Sequence, residues 1–183
     1  LVATESIIKE QGFSFSLTGV LSIDNSLNRI DFRAGEKTFA LLVSILGLTR
    51  ERLVIQTGLP QHHCFQALLN KDINTFYNEE LRQRDELGLP PFKHLGLVKL
   101  RGAKEDKVKE TSNALFKHLV RYNKDKRIKV FSVNPAHPAK LRGKFCWQIL
   151  VKSGNAKKIT KFLKINLKNF PHSGIIVTID MDP

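Results

Sequence analysis

The stretch from Asn134 to Lys152, NPAHPAKLRGKFCWQILVK, decides how the second half of this chain folds. Pro135 and Pro138 exclude a helix, because proline lacks the backbone N–H and clashes with the preceding turn. They are expected to stiffen a loop. Lys140, Arg142 and Lys144 then alternate into a strand-like run, Phe145 to Val151. Side chains two apart on an extended segment share a face, so three cations are expected along one face, with Trp147 ending their row. Such a row suits a nucleic-acid backbone and an unstacked base. The competing reading is a solvated edge strand, with lysines that block edge-to-edge pairing and a tryptophan that belongs to the core.

Around this stretch the periodicities alternate. His94–Leu100 (HLGLVKL) reads as a strand. Lys104 to Tyr122 places Val108, Leu115, Leu119 and Tyr122 on one helical stripe, Ile128–Val133 reads as a strand, and Asn155 to Lys168 carries Ile159, Phe162, Leu163 and Leu167 on a second helix. Ile175–Ile179 is a last strand. The order β-α-β-β-α-β predicts a ferredoxin-like α+β domain over residues 92–183, with helices on one face of an antiparallel sheet and the other face left to dock something.

Upstream the pattern changes. Leu17–Asp24 (LTGVLSID) and Leu53–Thr57 (LVIQT) read as buried parallel strands flanking a helix from Ala34 to Leu46, with Phe39, Leu42, Val43 and Leu46 facing a core and Gly47 as its C-cap. That is a βαβ unit, part of an α/β domain over 1–57. Residues 58–91 read as a helical connector: a short helix over 62–70, then Ile73 to Leu87 with Phe76, Tyr77, Leu81 and Leu87 as its apolar face, ended by Gly88, Pro90 and Pro91.

Charge separates the two halves. The chain has 30 Lys+Arg and 17 Asp+Glu, a net of +13. Residues 1–92 hold 9 cations and 11 anions, whereas residues 93–183 hold 21 cations and 6 anions. A surplus of 15 in the second half points to a polyanion, nucleic acid before an anionic membrane. No apolar run is long enough to span a bilayer. The two cysteines, Cys64 and Cys146, form no CxxC pair, which suggests a reducing compartment and excludes a cysteine-only zinc site. His62, His63 and Cys64 are too crowded along the chain to grip one ion, so no metal is expected. Asp24 ends a strand and is read as a strand-end cap. The opening residue is Leu, in what looks like mid-strand, as expected of a processed product or a piece of a longer chain.

Three strings carry a family resemblance. ELRQRDELGLPPF (Glu80–Phe92), PAHPAKLRGKFCWQILVKS (Pro135–Ser153) and DFRAGEKTFALL (Asp31–Leu42) resemble, in order, segments of the primosomal protein N′ (PriA) family of bacterial replication-restart DNA helicases, and the likeness runs to IDMDP (Ile179–Pro183). The resemblance implies that residues 1–57 are a remnant of a RecA-like second helicase lobe and that the rest is the C-terminal part. It implies ATP, Mg and Zn as cofactors held by regions outside this chain, with none held by the chain itself. It implies forked and single-stranded DNA, single-stranded-DNA-binding protein and primosome components as partners, in a bacterial cytoplasm beside the nucleoid.

Helicase-motif remnants are legible but altered. ATESIIKEQG (Ala3–Gly12) keeps Thr4 and Lys9, with Glu5 and Glu10 at positions where the family has other residues. Arg33 lies in the matching DFRAGEKTFALL string. SILGLTRE (Ser44–Glu51) keeps Gly47 but has Leu48 where the family's arginine finger stands, a group that stabilises charge on the transferred phosphoryl. Arg50 or Arg52 is the nearest substitute. No G-x-x-x-x-G-K-[ST] is present, so no catalytic residue is expected on this chain. The expected function is DNA and partner binding, with backbone contacts from Lys140, Arg142, Lys144, Lys152 and Arg101 and a base stacked on Trp147. The alternatives are a piece of an active 3′→5′ helicase, or an RNA- or ribosome-binding domain, which shares the fold order but here lacks an aromatic-rich strand.

Overall fold

The computed structural model describes residues 1–9, 12–29, 31–168 and 170–183. The chain forms two compact units, Leu1–Gln83 and Arg84–Pro183. Glu10, singled out above, lies outside the described residues.

The first unit opens in irregular chain, not mid-strand, followed by a 3-10 turn at Glu5–Lys9. β1 (Phe15–Val20) and β2 (Thr49–Ile55) pair in parallel, as the βαβ reading requires, but neither is the buried strand expected: their residues are exposed or half-buried. Between them lie α1 (Asp24–Leu27) and α2 (Ala34–Gly47). The apolar run predicted to continue to Asp24 as strand turns into α1 instead. Asp24 there ties the end of β2: its carboxylate accepts from the Thr57 hydroxyl at 2.5 Å and the Gly58 N–H at 2.7 Å. On α2, Phe39 and Leu42 are buried, but Val43 is exposed. Gly47 is the last helical residue, and the C-cap is Leu48.

α3 (His63–Asn70) and α4 (Ile73–Leu87) follow. The expected apolar face of α4 is mostly absent: only Phe76 is buried, stacked on Phe39 with ring centroids 3.9 Å apart, while Tyr77, Leu81 and Leu87 are exposed. The buried neighbour of Phe76 on α4 is Glu80, whose carboxylate meets His63 Nε2 at 3.2 Å. A paired carboxylate tolerates burial that a lone one does not. The helix lacking a side chain at Gly35 makes room, since a β-carbon there would sit 2.8 Å from Glu80 Oε2.

In the second unit β3 (His94–Gly102) is central and α5 (Glu105–Tyr122) follows it. β4 (Lys129–Val130), β5 (Asn134–Leu141) and β6 (Lys144–Ser153) come next, then α6 (Ala156–Lys168) and β7 (Ile176–Met181). The sheet order is β4-β6-β3-β7 with β5 also on β6, and every pairing is antiparallel. Val98, Leu100, Ile149 and Val151 face α5 and α6, where Val108, Leu115, Leu119, Ile159 and Leu163 close one core. Tyr122, placed on that stripe by periodicity, is half exposed.

The proline segment is a strand, not a loop. β5 pairs with β6 at Asn134, Pro135, Lys140 and Leu141, with an irregularity between. Proline is tolerated because this is an edge: the missing N–H would point away from the sheet. The predicted strand Ile128–Val133 shrinks correspondingly to the two residues of β4.

Candidate nucleic-acid interface

β5 and β6 meet in a two-residue hairpin. Leu141 pairs with Lys144, and Arg142 and Gly143 between them have φ of +49° and +76°. Positive φ at both central residues gives a type I′ turn, whose twist matches that of the flanking strands. Arg142 is therefore a turn residue, and the expected single row of cations does not form. Lys140 pairs with Phe145 and Leu141 with Lys144, which puts Lys140 on the helix-side face and Lys144 on the other. Lys140 Nζ lies over the Phe145 ring, 4.7 Å from its centroid. All three cations instead crowd the exposed hairpin end, from both strands and the turn.

Trp147 departs further from expectation. It is on the helix side, packed at the margin of the core beside Leu100, with Lys109 of α5 5.6 Å over its ring. The indole is a core side chain roofed by a lysine, on the face opposite Lys144.

The face of the sheet away from α5 and α6 is built by the other parity. On β6 it presents Lys144, Cys146, Gln148, Leu150 and Lys152; paired with four of these on β3 are Arg101, Lys99, Leu97 and Leu95. Arg101 and Lys152, both predicted contacts, thus share this face with Lys144. Lys144 and Lys152 are eight residues apart on one strand, roughly 27 Å at about 3.4 Å per residue. One strand of a DNA duplex has about one phosphate per 3.4 Å of helix axis, so that length matches roughly eight phosphates of such a strand. Asp180 of β7 intrudes on this face and meets Lys99 at 3.4 Å. Arg101 Nε is buried with no hydrogen-bond partner among the described residues.

A second basic feature was not singled out from the sequence. A groove of about 480 Å³ is lined by Lys93, Lys126, Arg127, Lys129, Lys152 and Lys158, with Ser153, Gly154 and Asn155 just before α6. Asp125 pairs with Arg127 at 2.9 Å and Lys158 at 3.1 Å. Hydrogen bonds from the Arg127 side chain first, then its backbone and Lys158, hold the Asp125 carboxyl well below the usual carboxylate range. Lys152 donates to the Leu87 carbonyl at 2.8 Å. Its pKa is lowered, first by burial and then by Lys93 and Lys129, so three ammonium groups repel one another here. These cations come from four separate places in the chain, and only the Lys126–Arg127–Lys129 cluster was visible as a local charge run.

The helicase-motif remnants do not form one constellation. Thr4 and Leu48 line a cleft of about 440 Å³ in the first unit, together with apolar residues such as Leu17, Ile23 and Ile45. Lys9, Arg33, Gly47 and Arg50 do not line it. Arg33 is the N-cap residue of α2 and lies over the Phe32 ring, and Arg50 bonds Ser14. Among the described residues no group of three or more His, Cys, Asp or Glu is arranged to hold a metal ion. Burial, and after it Glu80, pushes the Cys64 thiol up to about 12, so it is inert as a ligand or nucleophile near neutral pH.

The second unit is thus a basic α+β domain: an antiparallel sheet with helices on one side and cations at the hairpin and along the opposite face. Residues 85–183 match the primosomal protein N C-terminal domain, more than half of the chain, and the chain belongs to that family. The whole chain is similar to the replication restart protein PriA of Bacillus subtilis (28% identical), of Synechocystis (29%) and of Chlamydia trachomatis (30%). It spans about a quarter of the length of these relatives, 24%, 22% and 25% respectively. Among the described residues no helix is long and apolar enough to cross a membrane.

Proposed function

We propose that this chain is the C-terminal portion of a replication-restart protein that holds forked and single-stranded DNA through its second unit, without catalysis of its own. Residues 1–57 are read as part of a RecA-like second lobe, residues 58–91 as a connector and residues 92–183 as a ferredoxin-like domain. The observation that carries the reading is the surplus of 15 cations over residues 93–183, among which Lys140 and Arg142 lie at the hairpin and Arg101, Lys144 and Lys152 share the open face of the sheet. Phosphate contacts of this kind are independent of sequence and release counterions, which suits a protein that meets any stalled fork. Single-stranded-DNA-binding protein and primosome components are the proposed protein partners, in the bacterial cytoplasm.

ATP turnover is not assigned to this chain. Leu48 caps α2 with an apolar side chain where the family's motif has arginine, and Arg50 is turned to Ser14. The test is fork binding by fluorescence anisotropy across a salt series, comparing the chain with its Lys140→Ala, Arg142→Ala double variant. The variant is expected to bind more weakly and to lose about 0.7–0.9 of log–log salt slope per contact removed. Identical affinity and slope for the two proteins would contradict the assignment.

A further inference from the structure

The groove at the start of α6 has features that general attraction to a polyanion does not require. Lys93, Lys126 and Lys129 have no ion pair among the described residues, and Asp125 is already engaged by Arg127 and Lys158. Lys152 completes the ring of ammonium groups and is fixed in place by the Leu87 carbonyl. Holding four like charges around one concavity is unfavourable unless an anion enters. The groove also opens on the N-terminus of a 13-residue helix, where Asn155 Oδ1 caps the Lys158 N–H and the first N–H groups carry partial positive charge. Ser153, a further lining residue, is 2% exposed, and its hydroxyl has no hydrogen-bond partner among the described residues.

We propose that this groove is a phosphate-recognition site, in which Lys126, Lys129 and Lys93 supply charge, Lys152 a fixed ammonium, and Ser153 with the start of α6 the neutral donors. Within the groove, the start of α6 with Ser153 and the surrounding lysines offers convergent donors to one tetrahedral oxyanion. The phosphate is either an internal phosphodiester or a terminal phosphomonoester. Only its source rests on the DNA reading above, because inorganic phosphate tests the site by itself.

The experiment is titration of inorganic phosphate into the full chain at low chloride, followed through the backbone amide resonances of Gly154, Asn155 and Lys129. A saturable shift is expected, weakened about tenfold or more in the Lys126→Ser, Lys129→Ser variant and retained in a Lys157→Ser, Lys161→Ser variant with the same loss of charge. Absence of a saturable shift, or equal weakening in both variants, would overturn the site while leaving fork binding through the hairpin intact. The same resonances are then followed with two hairpin oligonucleotides, one ending in 5′-phosphate and one in 5′-hydroxyl. Shifts with the phosphorylated end alone assign a terminal phosphomonoester, equal shifts assign an internal phosphodiester, and shifts with neither overturn the site as a nucleic-acid contact.

Discussion

Gly96 faces Ile159 so closely that a β-carbon at position 96 would lie 2.6 Å from Ile159 Cγ2. The central strand and the second helix therefore touch through backbone and methyl group, with no room between. Gly96→Ala is expected to destabilise the second unit by about 1–3 kcal/mol, the usual range for an over-packed core. Urea unfolding measures it, and Ile159→Ala, which removes Cγ2, should cost less in the Gly96→Ala background than in the parent.

Arg142 sits at φ +49° before Gly143 at φ +76°. Asparagine accepts that conformation more readily than arginine, so Arg142→Asn keeps the turn while removing its charge. Thermal stability is expected to stay within about 0.5 kcal/mol of the parent or to rise, as for a surface change at a compatible site. Fork affinity should nonetheless fall. Loss of stability together with affinity would mean that the residue acts through the hairpin fold and not through its charge.

Much of this layout was legible in advance, and the exceptions have physical causes. The helices of the second unit and the parallel pair of the first follow from apolar spacing, and α4 begins and ends where its sequence said, at Ile73 and Leu87. The β5 strand was hidden because Pro135 and Pro138 read as loop, and only the register shows that they lie on an edge. The hairpin was hidden for a related reason: Lys140, Arg142 and Lys144 alternate in sequence, but the chain reverses between the first and the last. Glu80 was not marked as a core residue because His63, its buried partner, is 17 residues away. The groove draws on residues from Lys93 to Lys158, so no local window contains it.

Asp125 links the loop before β4 to α6 through Arg127 and Lys158. Its folded carboxyl ionises more readily than the unfolded one, so its contribution is complete above the unfolded value of about 3.9 and is lost as pH falls below it. Asp125→Asn should therefore lower the urea midpoint at pH 6, and the gap to the parent should close toward pH 2. A gap that does not narrow on acidification would mean the aspartate acts by packing.

Cys64 is fully buried and Cys146 is 5% exposed. A disulfide-exchange reagent at pH 8 is expected to titrate neither quickly in the native chain, and both in denaturant. Fast native modification of Cys64 would contradict both its burial and a thiol held at about 12.

The central claim is that the second unit, not the first, carries the DNA contact. Amide hydrogen exchange of the whole chain, with and without a saturating forked DNA, tests it directly. Protection is predicted at the hairpin around residues 140–144, along β6 and at residues 152–155, with exchange over residues 1–83 unchanged. Protection confined to residues 1–83 would contradict the account.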